Sequence, residues 1–91
     1  MDFPNIEMLP VESSQIHSIG HDPKNEILAI RFKDRATGGP SSLYHYRNFT
    51  ADQFEAFRKA ESIGSYFYAH IKPAILAHPY TRIEEPPAKA A

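Results

Sequence analysis

The stretch "EILAIRFK", Glu26 to Lys33, constrains the fold more than any other part of the chain. Its apolar residues alternate with a period of two. In an extended strand this puts Leu28, Ile30 and Phe32 on one face, and Ile27, Ala29, Arg31 and Lys33 on the other. Such a face has to be laid against another apolar layer. With 91 residues the chain has room for one domain. A chain this short buries only about 60% of its unfolded surface, so stability is marginal. It has no cysteine, which removes both a disulfide framework and thiolate metal sites. The core must therefore draw on the six phenylalanines, five tyrosines and the aliphatic residues.

The flanking segments supply neighbours for this strand. "SSQIHSIG" reads as a first strand ending at Gly20, and "HDPKNE" as a turn, with Asp22-Pro23 to start it and Asn25 to take unusual dihedrals. "LYHYR" reads as a third strand, with Tyr44 and Tyr46 on one face and Leu43, His45 and Arg47 on the other. Between the second and third strands, "DRATGGPSS" (residues 34–42) is expected as a mobile loop joining antiparallel neighbours. The spacing then predicts a helix over "ADQFEAFRKAE". Thr50 and Gln53 have the spacing of a capping box, and Phe49 and Phe54 that of a hydrophobic staple. Gly64 is expected to stop this helix, and "SYFYAHIK" to form a shorter second one that ends or kinks before Pro73.

The predicted fold is α+β: a three-stranded antiparallel β-meander covered on one face by an α-helix and a second, shorter helix, in the order β-β-β-α-α. The other sheet face would be open to water. The domain is assigned to residues 11–80. Residues 1–10 and 81–91 are read as flexible tails, being rich in proline or small residues and without apolar periodicity.

No apolar run approaches the roughly 18 residues of a membrane span. "MDFPNIEMLPVESS" is acidic and broken by prolines, unlike a signal peptide. A cytoplasmic, monomeric protein is expected, and the "NFT" sequon at Asn48 then carries no meaning. The net charge of −1 argues against strong, unspecific nucleic-acid binding. The acidic excess sits in the flanks, however. From Val11 to Ile83 there are nine Lys+Arg against seven Asp+Glu, which leaves room for a weak basic patch.

The pattern of Val11, Ser13, Ser14, Ile16, Ile19 and Gly20, then Tyr44 and Tyr46, then Ala60, Ser62, Gly64, Tyr66, Phe67, Ile71 and Lys72 resembles the KTSC domain. That family is named after a C-terminal extension of some lysyl-tRNA synthetases and also occurs as small free-standing bacterial and phage proteins. The resemblance runs from Val11 to about Tyr80. It implies RNA, such as tRNA, as a ligand by association with the synthetases. The chain departs from the family pattern at His21 and Tyr68, where tyrosine and asparagine are usual, and in its long second hairpin.

Two readings of Tyr44 and Tyr46 are open. Each could stack a base, or both could face the helices as an apolar counterface, which the helices require. If they face the helices, Arg31, Lys33, His45 and Arg47 line the opposite face, with Arg35 nearby. Those residues are the candidate RNA-contacting patch, set against an ordinary solvated face with edge-protecting charges. Ser13 and Ser14 are expected to cap a turn, since there is no nucleophile elbow or base-and-orienter set beside them. His17 and His21 have ligand-like spacing, but Gly20 and a turn signal interrupt it, so no metal is expected. Ser62, Gly64 and Ser65 read as a helix-helix corner or an anion-binding helix start, with Lys72 near. The expected function is a non-catalytic binding module without cofactor, binding RNA or, alternatively, a protein partner.

Overall fold

The computed structural model describes residues 6–34, 36–74 and 76–84. The fold is α+β, as expected, but the sheet has five strands. β1 is Leu9–Pro10, β2 Ile16–Asp22, β3 Ile27–Lys33, β4 Pro40–Tyr46 and β5 Tyr80–Glu84. All neighbours are antiparallel and the spatial order is β1-β2-β3-β4-β5. Between β4 and β5 run α1, Ala51–Arg58, and α2, Ile63–Tyr66, which continues as a π-helical turn, Phe67–Ile71. Among the described residues no helix is long and apolar enough to cross a membrane.

Both added strands lie where tails were expected. β1 has two residues and no pattern of its own; its order comes from pairing Leu9 with Ile19 and Pro10 with Ser18. β5 is guided to the free edge of β4 by the segment before it. Arg47 N–H donates to Pro79 O (2.9 Å), Asn48 Nδ2 to Ala77 O (3.2 Å), and His78 Nδ1 to Arg47 O (3.1 Å). Residues 1–5 and 85–91 of the expected tails lie outside the described residues.

The core sits where the alternation of β3 places it. Leu28 and Ile30 are buried with Ile16, Ile19, Tyr46, Phe49, Phe57, Ile63, Phe67 and Ile71, and Phe32 and Tyr44 pack against this cluster half-buried. A bulge at His17 in β2 lets both Ile16 and Ile19 point into the core. Phe57 is the largest fully buried side chain; it meets Phe49 edge-on at 6.4 Å and Tyr66 at 5.4 Å between ring centroids.

Local signals are realised with some shifts. Thr50 caps α1: its Oγ1 accepts from Gln53 N (3.2 Å), while Gln53 Oε1 accepts from Thr50 N (2.8 Å), the reciprocal capping box. Both residues of the expected staple meet on the His21 ring. It stacks on Phe54 at 5.0 Å, lies edge-on to Phe49, and donates from Nε2 to Phe49 O at 2.6 Å. Asp22 closes the first hairpin by accepting from Lys24 N, Asn25 N and Asn25 Nδ2. The left-handed residue there is Glu26 (φ 55°), not Asn25.

The second hairpin is tighter than expected. β4 begins at Pro40, and Asp34 Oδ1 accepts from Ala36 N (2.7 Å) and Thr37 N (3.2 Å). Gly38 takes a φ of +75° that other residues rarely adopt. Gly64 does not stop α1, which ends at Arg58; the second helix starts earlier, with Ser62 as N-cap accepting from Ser65 N. Gly64 lies inside that helix, where an added Cβ would sit 3.3 Å from Ser13 Oγ.

The second sheet face is not open. Ser18, Ala29, Leu43 and His45 on it are buried. The N-terminal segment crosses it at Gly20: a Cβ there would collide with Glu7 O, 2.9 Å from Ile6 Cγ2 and 3.1 Å from Met8 Sδ.

Candidate functional site

The closed second face changes the status of the expected basic patch. His45 is only 5% exposed, and burial holds its imidazole below the usual histidine range, with Asp22 partly opposing. It is a neutral, interior group near pH 7. Arg31 is half-buried and donates from Nη1 to Ser41 O (2.9 Å). Lys33 turns to the end of the sheet and donates from Nζ to Ser13 O. Arg47 is exposed, past the end of β4, and Arg35 lies outside the described residues. Arg31, Lys33, His45 and Arg47 therefore do not assemble into one open cationic face: His45 is buried, Arg31 donates to Ser41 O and Lys33 to Ser13 O.

The helix-facing side of the sheet carries a surface cleft. A cleft of about 350 Å³ lies between β4–β5 and the π turn, lined by Phe32, Ser42, Tyr44, Tyr46, Tyr68, Lys72 and Tyr80 with Phe67. Tyr44 and Tyr46 do face the helices, as the apolar counterface reading has it. Yet the pair also forms the floor of this cleft. Tyr80, paired with Tyr46 in the β4–β5 register, extends the floor outward: its ring is 5.5 Å from Tyr44 and 5.7 Å from Tyr46. Tyr46 is nearly buried, and its burial, then the Tyr44 and Tyr80 phenols, push its hydroxyl far above the ordinary tyrosine range. Tyr80 is 50% exposed.

Two further depressions adjoin this cleft through Tyr68. One, lined by Phe32, Lys33, Ser14 and Gln15, shares Phe32 and Tyr68 with it. The other is polar and runs between Ser13, Ser14 and Gln15 and the start of α2 at Ser62, Gly64 and Ser65. There Ser13 Oγ accepts from the backbone N–H of Gln15 and Ile16, so the serine fixes the chain ahead of β2 as expected. Together the depressions make one groove, polar at the serines and aromatic at the tyrosines. Lys33 and Lys72 are its charged lining residues, and no carboxylate is among those described. Lys72 Nζ lies 4.7 Å above the Tyr68 ring centroid, a cation–π contact at the mouth.

Of the residues singled out from the resemblance, Ser13, Ser14, Tyr44, Tyr46, Ser62, Gly64, Phe67 and Lys72 line this groove, while Gly20 and Ile71 are packed elsewhere and Ala60 follows the end of α1, its N–H donating to Phe57 O. Tyr80 and the role of Lys72 beside Tyr68 were not legible. Tyr80 carries no strand pattern of its own, and Tyr68 and Lys72 come together on a π turn that has no sequence signature.

These features define a small α+β domain with an open, aromatic, lysine-bearing groove. The chain belongs to the KTSC domain family, whose sequence model matches residues 12–74. A protein from Tsukamurella paurometabola is 40% identical over 70 residues, spanning 77% of this chain and 96% of that one. One from Stutzerimonas stutzeri, described as uncharacterized, is 29% identical over 68 residues, 75% of this chain and 87% of that one. The crystal structure of a KTSC domain protein from Yersinia pestis superposes with a TM-score of 0.72 at 31% identity, over 88% of this chain and all of that one. These relatives bear on family and fold; no ligand comes from them.

Proposed function

We propose that the protein is a non-catalytic binding module for RNA that works through the Tyr44–Tyr80–Lys72 groove. One observation carries this reading: in a chain of net charge −1, the described residues of this groove include two lysines and no carboxylate, beside exposed tyrosine rings. A ligand suited to that lining is anionic and has flat apolar faces, and RNA has both. Stacking on an aromatic side chain is worth about 1–3 kcal/mol per base. The electrostatic part is small. With two lysines the slope of log affinity against log salt is about −1.4 for a single strand. The site binds weakly and is governed by stacking.

The test is an NMR titration with tRNA and with a short single-stranded RNA at low and physiological salt. Saturable shifts at the Tyr68, Lys72 and Tyr80 amides support the reading. Shifts confined to Arg31 and Arg47, or no shifts with either RNA, sink it. A second reading, a protein-interaction module, rests on the outer edge of β5, which no strand among the described residues covers. A peptide added there would shift the Tyr80–Glu84 amides with little salt dependence.

A further inference from the structure

We infer that the groove selects unpaired nucleotides, holding a base against Tyr80 and Tyr44 and its phosphate beside Lys72, and leaves double helices outside. The inference rests on the RNA reading above and narrows it to single-stranded segments.

The geometry of the rings supports it. Tyr44, Tyr46 and Tyr80 form one tilted aromatic patch, with centroid separations of 5.5–6.4 Å. Tyr46 is closed off by Phe67, which meets it edge-on at 5.9 Å, so the accessible faces belong to Tyr80 and half-buried Tyr44. Tyr68 is also exposed, but Lys72 sits over its ring. The groove thus offers the half-exposed Tyr80 ring for stacking, with Lys72 in the same lining. A base in a duplex has both faces covered by its neighbours and cannot reach a recessed ring without being extruded; an unpaired base can.

The polar lining sets selectivity. Around the rings the side chains able to reach a base edge are Ser42, the tyrosine hydroxyls and the Lys72 ammonium group, a point charge without the fixed fork of an arginine. Among the described residues no amide, guanidinium or carboxylate lines this end, and the discriminating bidentate contacts made by such groups are absent from that lining. Binding should then tolerate any base, ranked by stacking strength. The π turn adds an independent indication. Lys72 N–H donates to Phe67 O five residues back at 2.8 Å, and such turns are frequent at functional sites. This one carries Tyr68 and Lys72 together on the groove wall.

The experiment measures fluorescence anisotropy of labelled oligouridylate, oligo-deoxythymidylate and a blunt RNA duplex of equal length with the full chain. Tyr80→Leu keeps a strand-compatible apolar side chain but removes the π face; Tyr80→Phe keeps the face. Amide spectra confirm that both fold. The expected result is single-strand binding about 10-fold or more above the duplex. Tyr80→Leu should weaken it by about 5- to 150-fold, from ~1–3 kcal/mol of stacking at 1.4 kcal/mol per decade, and Tyr80→Phe by less than about twofold. Equal binding of RNA and DNA strands fits the shared chemistry of base and phosphate, while RNA preference adds a 2′-hydroxyl contact to it. A duplex that binds as well as the single strand, or Tyr80→Leu without effect, overturns the inference while RNA binding stands. Failure of every nucleic acid to bind removes both readings.

Discussion

Replacing Gly20 by alanine tests how the second sheet face is closed. Gly20 pairs with Ala29 in the β2–β3 register, and the N-terminal segment passes directly over it. The new methyl group would run into Glu7 O, a backbone atom, and lie 2.9 Å from Ile6 Cγ2. A backbone atom cannot rotate away, so the segment must lift or the strand must sink. Overpacking of this kind costs about 1–3 kcal/mol. In a domain of this size each kcal/mol lowers Tm by about 4–8 °C. The cost cannot exceed what the crossing segment contributes, because detaching it is the alternative. Thermal unfolding by circular dichroism should therefore be run on Gly20→Ala in the full chain and in a chain starting at Leu9. The penalty should appear in the first. In the second it should vanish or reverse by about 0.5–1 kcal/mol, since a strand glycine is penalised relative to alanine. An equal penalty in both backgrounds would show that the close approach at Gly20 is not what limits this position, and the reasoning would fall.

Three further outcomes follow from the packing. Thr50→Ala should lower stability by about 0.5–2 kcal/mol in urea unfolding, through loss of the cap on Gln53 N, with an unchanged m-value. Phe57→Ala should cost about 3–5 kcal/mol in urea unfolding, a large share of a total of about 5–15 kcal/mol, and a loss below about 1 kcal/mol would contradict its place in the core. Stability should fall with acid through His45. Its folded-state pKa lies below the ordinary 6.5, so the unfolded chain takes up the proton first. The contribution is complete above about 6.5 and is lost as pH drops toward the lowered folded value. His45→Gln should flatten that part of the pH–Tm curve, and an unchanged curve would contradict it.

Much of the frame was legible because it depends on near neighbours in the chain. The period-two pattern of β3 put Leu28, Ile30 and Phe32 on the core face, and the structure keeps them there. The capping box at Thr50 and the Asp22 turn involve residues two or three apart, so local chemistry suffices. The orientation of Tyr44 and Tyr46 stayed open between two readings on the sequence alone, and the structure packs both against the core on the helix side.

Other features were decided by contacts distant in sequence. β1 and β5 exist because β2 and β4 offer free edges; neither has a pattern strong enough to declare itself. With the N-terminal segment crossing at Gly20, a face read as solvated instead buries Ser18, Ala29, Leu43 and His45. The candidate groove joins Ser13 before β2, Tyr44 in β4, Lys72 after the π turn and Tyr80 in β5, positions that only packing brings together. Family membership, the core face and the caps are thus written in short-range spacing. The groove depends on which edges pair and which helix turn widens, and those choices belong to the folded chain as a whole.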